Sequence, residues 1–408
     1  MSDSSAERAA RTALLRRLNA AVEHHDEPLP TPTVVVDLDA FDANADDLLR
    51  RAAGKPIRVA SKSLRVPALI ERVLARDGFE GVLAFTLREA LWLFEHGISD
   101  DIVVAYPTVD AGALAELVAS PSAAAAITLM FDNQAHLDVI DRVRHSTSVP
   151  VRLCLDVDAG LDLGRGRVGP KRSPVTGAEE AERLARLVAR RPGFVLVGAM
   201  TYEGQVAGVP DTVPHQRAKS FVVRRLKQAS VSQLATRRRQ VVDALTRHAD
   251  LEFFNAGGSG SVETTVGDPV VTEVAAGSGL LVPGLFDHYA SFTPRPAAFF
   301  GLRVVRRPSP EVATVHGGGL IASGPVGPDR APIPWAPGGL ELTGLEGAGE
   351  VQTPLTGPVA ANLRIGDLVW FRHAKSGELF EHTTTAHLVA GDRIVESVPS
   401  YRGEGLAF

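Results

Sequence analysis

Lys62 closes the run Ile57-Arg58-Val59-Ala60-Ser61-Lys62, where a short apolar stretch gives way to a helix-like segment. An amine held among apolar walls has its charged form disfavoured, so it can attack a carbonyl carbon and form a Schiff base. Two glycine-rich runs lie far downstream, Asn255-Ala256-Gly257-Gly258-Ser259-Gly260-Ser261 and Gly277-Ser278-Gly279. Gly257 and Gly258 let backbone N–H groups approach an anion closely, and Ser259 or Ser278 can add a hydroxyl donor. Neither run has the G-x-x-x-x-G-K-[ST] or G-x-G-x-x-G spacing of a nucleotide fold. An amine for an aldehyde and a cradle for a phosphate together suit pyridoxal phosphate.

Such groups need a scaffold that brings them to one place. Eight short apolar runs, at 57–61, 81–85, 102–105, 127–131, 150–156, 194–200, 251–255 and 271–275, are each followed by a segment able to form a crossover helix. This pattern predicts an α/β fold, a (β/α)₈ barrel over residues 30–293, with functional residues at the C-terminal ends of its strands. Those ends carry Lys62 after the first strand, Arg167 after the fifth, Tyr202 and Glu203 after the sixth, Asn255 to Ser261 after the seventh and Gly277 to Gly279 after the eighth. The last two positions are where such barrels hold phosphate groups. Arg167, in a glycine-rich turn with Arg165, is expected near a cofactor phenolate oxygen, whose charge a guanidinium stabilises.

Residues 1–29 read as one amphipathic helix with Ala10, Leu14, Leu15 and Leu18 on a face, and Thr33–Asp37 as a short strand. Asp39 is the expected cap of the helix after it. From about 294 the texture changes to glycine, proline and strand-like runs (301–305, 367–371, 386–389), predicting a mostly β domain over 294–408. The Pro-rich stretch 324–338 is expected to be a long loop, and the tail around Tyr401 to fray.

The 408 residues are 45% hydrophobic and 22% charged, the balance of a globular protein, and too many for a single ordinary core. A net charge of −5 offers no basic patch for nucleic acid, and the Arg237-Arg238-Arg239 run reads as a solvated helix face. The single cysteine, Cys154, falls in an apolar run and is expected to be a packed thiol. No stretch approaches the roughly 20 apolar residues that span a bilayer. With no secretory leader pattern at the N-terminus, the expected setting is a reduced cytoplasm.

The segment Ile57–Arg65 with Lys62, the Gly257–Ser261 loop, and Thr272-Glu273 followed by Gly277 resemble the fold type III pyridoxal-phosphate enzymes. Within these, the chain is most similar to the D-threonine aldolase and D-serine dehydratase-like branch; Pro32–Asp37, Phe85-Thr86 and Glu89-Ala90 agree with it. The resemblance implies a homodimer with sites at the subunit boundary, Lys62 as the Schiff-base lysine, phosphate held by Gly257, Gly258, Ser259, Gly277 and Ser278, and Tyr202 near the pyridine nitrogen. Asn255 joins this cofactor set by its place at the strand end. In that branch a divalent metal is bound in the β domain by His-x-Cys or His-x-Asp; here the run is His373-Ala374-Lys375, and a protonated lysine cannot ligate. The metal is therefore left open, with the Lys375 ammonium standing where a ligand is expected and His373 available for proton transfer at a β-hydroxyl. A His382/His387 pair is read as exposed polar positions. The activity implied is a lyase on D-configured β-hydroxy amino acids, by aldol cleavage or dehydration. The alternatives are an amino-acid racemase and a non-catalytic pyridoxal-phosphate-binding protein.

Overall fold

The computed structural model describes residues 5–144, 149–164, 166–214 and 216–408, so Arg165 lies outside the described residues. Eight parallel strands close into a barrel in sequence order: Ile57–Ala60, Phe79–Ala84, Ile102–Val104, Ile127–Phe131, Val151–Val157, Phe194–Thr201, Phe253–Ala256 and Glu273–Ala276, the last pairing with the first. All eight anticipated runs are strands. They are rich in β-branched and apolar residues because one side faces the ring of helices and the other fills the barrel. Val59, Val82, Val104, Leu129 and Leu155 pack outward under the helices, while Leu83, Val103, Met130, Cys154 and Phe253 fill the interior. Cys154 is a buried free thiol, as its apolar setting predicts. Gly198 makes room for Phe253, since a Cβ there would lie 2.3 Å from the ring.

The barrel carries its own buried ion pair. Arg58 Nε donates to Glu273 Oε1 at 2.7 Å, and Asn255 Nδ2 donates to the same oxygen at 2.8 Å. A charge removed from water needs such a partner, and here the first, seventh and eighth strands supply it jointly.

After the barrel the chain forms a mostly antiparallel sheet whose longest strand, Ala298–Ser309, pairs with Leu368–Arg372 and Val312–His316. Thr33–Asp37, although it precedes the barrel in sequence, is hydrogen-bonded into this sheet: antiparallel to Ala298–Ser309 and parallel to Thr385–Ala390. All five of its residues are buried because both faces are covered. Val35 packs with Leu18, Phe299 and Trp370 under the N-terminal helix, and Val34 and Val36 face the barrel-side core.

That N-terminal helix is described over Ser5–Glu23 and ends before the expected limit at 29. Its buried side uses Leu18 and Ala21, with Leu14 and Leu15 partly covered, whereas Ala10 is exposed. The next helix, Leu38–Ala52, is capped by Asp37, which accepts from the Ala40 amide, rather than by Asp39. A 29-residue helix, Arg217–Leu245, fills the long interval before the seventh strand. On it Arg237 and Arg238 are buried, not solvated; only Arg239 of the run is exposed. The expected long loop at 324–338 contains a strand, Ile333–Ala336, paired with Leu368–Arg372. The tail does not fray either, because Tyr401 is 2% exposed and packs against Trp92 and Phe408.

Candidate active site

A cavity of about 420 Å³ opens at the C-terminal ends of the barrel strands, within the range of small-molecule sites. Lys62 reaches it from a single turn, Ser61–Ser63, that ends the first strand, and its Nζ donates to the Tyr106 hydroxyl at 2.7 Å. The same cavity is lined by Tyr202, Asn255, Gly257, Gly258 and Ser259, and by Gly277 and Ser278. The lysine and both glycine loops, some 200 positions apart in sequence, therefore share one space.

The loops are built from the carboxylate of Glu203. It accepts Arg238 Nη2 at 2.9 Å, the Gly257 amide at 3.2 Å and the Thr265 hydroxyl at 2.6 Å. Arg238 also donates to Thr201 Oγ1 at 2.9 Å. With 2% and 3% of their side chains exposed, Glu203 and Arg238 form a sealed pair whose hydrogen bonds fix the seventh-strand loop. Ser259 Oγ then joins the two loops, accepting the amides of Gly277 at 3.1 Å and Gly279 at 2.9 Å. The Gly257, Gly258 and Gly277 amides are thus engaged within the protein, Gly258 by Ser261 Oγ, and the hydroxyls of Ser63, Ser259 and Ser278 line the cavity beside them. Ser63 and Ser278 lie 3.1 Å apart. The absence of side chains on the loops is enforced: a Cβ on Gly277 would meet the Ala60 carbonyl at 2.6 Å, and one on Gly258 would press on Ala207 at 3.1 Å.

Arg167 does not line the cavity. It sits on a two-stranded hairpin, Leu161–Asp162 with Arg167–Val168, and pairs with Asp158 at 2.8 Å. Arg172, five residues on, lines the cavity instead, with its guanidinium carbon 5.2 Å from the Tyr202 ring centre and 5.7 Å from that of Tyr106. The hairpin reverses the chain and carries Arg167 outward. Burial pushes the Tyr202 phenol up, with Arg172 opposing. At the end of the fifth strand, burial and the neighbouring Asp132 raise the Asp156 carboxyl to about 7.

The β-rich region supplies the outer wall through Ser323, Gly324, Asp329, Arg330 and Lys375. Lys375 Nζ hydrogen-bonds Ser323 and pairs with Glu378 at 3.0 Å. His373 lies behind that wall. It is 3% exposed, does not line the cavity, and burial together with Arg372 pushes its imidazole down to about 3. A bend after Arg372 breaks strand alternation, so the run sends Lys375 to the cavity and His373 into the core. This placement removes His373 from direct proton transfer at a bound molecule. His387 is also buried, 2.7 Å from Ser397 Oγ, while His382 is exposed outside its strand. Among the described residues, no group of three or more His, Cys, Asp or Glu side chains is arranged to hold a metal ion. The donors at the 373–375 turn do not suit a divalent cation either, because the only one reaching the cavity is an ammonium.

Three further lining residues carry no sequence motif. Tyr106 and Arg172 are two, and Tyr289 is the third; it stacks on Phe286 and Phe292 and donates to the Ala207 carbonyl at 2.9 Å. Tyr106 directly follows the third strand run, so the strand-end rule that singled out Lys62 also reaches it.

A lysine one turn beyond the first strand of a parallel eight-stranded barrel, and a β domain that takes in the strand preceding that barrel, define the fold type III class of pyridoxal-phosphate enzymes. The chain belongs to the family of the alanine racemase N-terminal domain, whose model matches residues 36–283. No curated protein matches the sequence. Among solved structures, D-threonine aldolase from Filomicrobium marinum superposes with a TM-score of 0.76 at 19% identity, over 93% of this chain and 96% of that one. D-threo-3-hydroxyaspartate dehydratase from Delftia sp. HT23 gives 0.71 at 18%, over 91% and 97%. Alanine racemase from Corynebacterium glutamicum gives 0.55 at 19%, over 83% and 88%. At these identities the likeness is one of fold. No helix among the described residues is long and apolar enough to cross a membrane.

Proposed function

We propose that the protein is a pyridoxal-phosphate-dependent lyase acting on D-configured β-hydroxy amino acids, by aldol cleavage or by dehydration and deamination. The observation that carries this reading is the meeting of Lys62 with both glycine–serine loops in one cavity. The residues fit the cofactor: an amine for its aldehyde, three hydroxyls and side-chain-free loops for its phosphate, and Arg172 for its phenolate oxygen. Once bound, the cofactor supplies an electron sink for the carbon that carries the substrate's amino group.

The chain's own groups then divide the work. Lys62 is the nucleophilic amine and, once released, the base for the proton on the substrate's Cα. Tyr202 and Asn255, which line the cavity, would hold the cofactor's ring. The Lys375 ammonium places a positive charge where a β-hydroxyl or carboxylate would lie, held there by Ser323 and Glu378. In aldol cleavage a base takes the β-hydroxyl proton and the Cα–Cβ bond breaks; in dehydration Lys62 takes the Cα proton and the hydroxyl leaves. The reading includes a homodimer in the cytoplasm, for which light scattering on the purified protein gives the assembly.

Racemisation is the second reading, favoured by the fold likeness to alanine racemases. It needs a second base on the far face of the ring. The β-rich region's one tyrosine, Tyr401, is buried with its hydroxyl donated to Glu89, which counts against it. Product analysis with D-threonine, D-serine and D-alanine separates the readings. Glycine with an aldehyde marks an aldolase, and a keto acid with ammonia marks a dehydratase. L-alanine would replace the lyase with a racemase, and no turnover of any of the three would favour a binding protein.

A further inference from the structure

We propose that Tyr106 is a positioning residue that holds and returns the proton of the Lys62 amine. The inference rests on the reading of Lys62 as the carbonyl-bonding amine and adds the group that manages its proton. Lys62 Nζ and the Tyr106 oxygen are 2.7 Å apart, and both side chains line the cavity. An ammonium cannot attack a carbonyl and a fresh amine must later be reprotonated, so this nitrogen has to shed and regain a proton within the site. The partner for that exchange must lie at hydrogen-bond distance, and Tyr106 does. In the exchange the phenol O–H bond breaks as an N–H bond forms, giving phenolate and ammonium; the reverse restores the neutral pair. No other reactant is consumed.

The charged and titratable groups facing Tyr106 come from four elements. Lys62 stands at the first strand end, Arg172 beyond the hairpin, Asp156 at the fifth strand end and Tyr202 at the sixth. Burial pushes the Tyr106 phenol up and Asp156 adds to that. The Lys62 ammonium and Arg172 together outweigh both, leaving the phenol below the ordinary tyrosine value. The chain has four tyrosines, and burial moves the other three, Tyr202, Tyr289 and Tyr401, in the opposite direction. A plain core tyrosine would follow those three. Arg172, sharing both rings, supplies the positive charge that makes a phenolate tolerable here.

The tyrosinate absorbance of the full-length protein without added cofactor, followed as pH rises, tests the pair without any catalysis. One of the four tyrosines should ionise below the ordinary range. Tyr106→Phe should delete that step, and Lys62→Met should move it upward. The second readout is the rate at which added pyridoxal phosphate is trapped on Lys62 by borohydride, measured across pH. Tyr106→Phe should slow trapping about 100-fold near neutrality and displace the profile, the low end of the range for proton-transfer groups. All four tyrosines ionising at or above the ordinary value, or superimposable trapping profiles for the two proteins, would overturn the proposal. Trapping on a lysine other than Lys62 would instead sink the reading of the site, while the tyrosinate titration still decides the Lys62–Tyr106 pair.

Discussion

The Tyr401 hydroxyl donates to the Glu89 carboxylate at 2.6 Å, tying the end of the chain to a barrel helix. Glu89 also accepts the Phe85 amide at 2.7 Å, and the Tyr401 amide donates to the Arg65 carbonyl at 3.0 Å. The C-terminal segment is thereby anchored three residues from Lys62, so the two parts of the chain meet directly beside the site.

Burial raises the Glu89 carboxyl from its ordinary 4.5 to about 7, with the Tyr401 hydrogen bond opposing. Between those two values the folded chain keeps a proton that the unfolded chain has released, so stability falls as pH rises through that window. Glu89→Gln removes the titration while keeping an acceptor. Urea unfolding at pH 5 and pH 8 should show the variant gaining on the wild type at the higher pH, by up to about 3 kcal/mol. An equal gap at both pH values would contradict this.

His373 acts with the opposite sign. Its folded pKa lies near 3 and that of the unfolded chain near 6.5, so stability is lost as pH falls between them. His373→Phe should move the acid-unfolding midpoint to lower pH, read by circular dichroism. An unchanged midpoint would place the imidazole in water.

Arg238→Met leaves the Glu203 carboxylate buried without its cation, which costs about 3–5 kcal/mol. Weaker cofactor binding should accompany the loss, because Glu203 holds the Gly257 amide. Arg239→Met, on the exposed side of the same helix, should stay within about 0.5 kcal/mol of the wild type in the same unfolding assay.

Arg172→Ala should weaken pyridoxal-phosphate binding about tenfold or more, since a charge-assisted contact is worth about 1.5–3 kcal/mol. Arg167→Ala should leave it unchanged. Equilibrium titration by absorbance distinguishes them, and a reversed order would reinstate Arg167.

Exhaustive chelation should leave product formation intact, because the ammonium of Lys375 occupies the outer wall. Loss of activity with rescue by manganese or zinc would place a divalent ion there instead.

The barrel was legible because its evidence is local: each strand declares itself in a mostly apolar run of four to seven residues. Thr33–Asp37 has the same texture, and only its distant partners at 298–301 and 387–389 show that it belongs to the other sheet. Lys62 and the glycine loops were found by position at strand ends, and Tyr106 was within reach of the same rule. Arg172 was not, because the short hairpin of Leu161–Asp162 with Arg167–Val168 decides which arginine faces inward; Arg167 lies on that hairpin and Arg172 follows it. The burial of Arg237 and Arg238 was equally hidden. Their carbonyl and carboxylate partners at 158, 160, 203 and 268 lie on other elements, and a charged run looks alike on either face of a helix.

The central claim is that the Lys62 amine bonds the aldehyde of pyridoxal phosphate. Borohydride reduction of the cofactor-loaded protein, followed by a peptide map, tests it most directly. The account predicts a single reduced adduct on the peptide containing Lys62, and none in Lys62→Ala. An adduct on another lysine, or a loaded protein that reduces without labelling any, would contradict it.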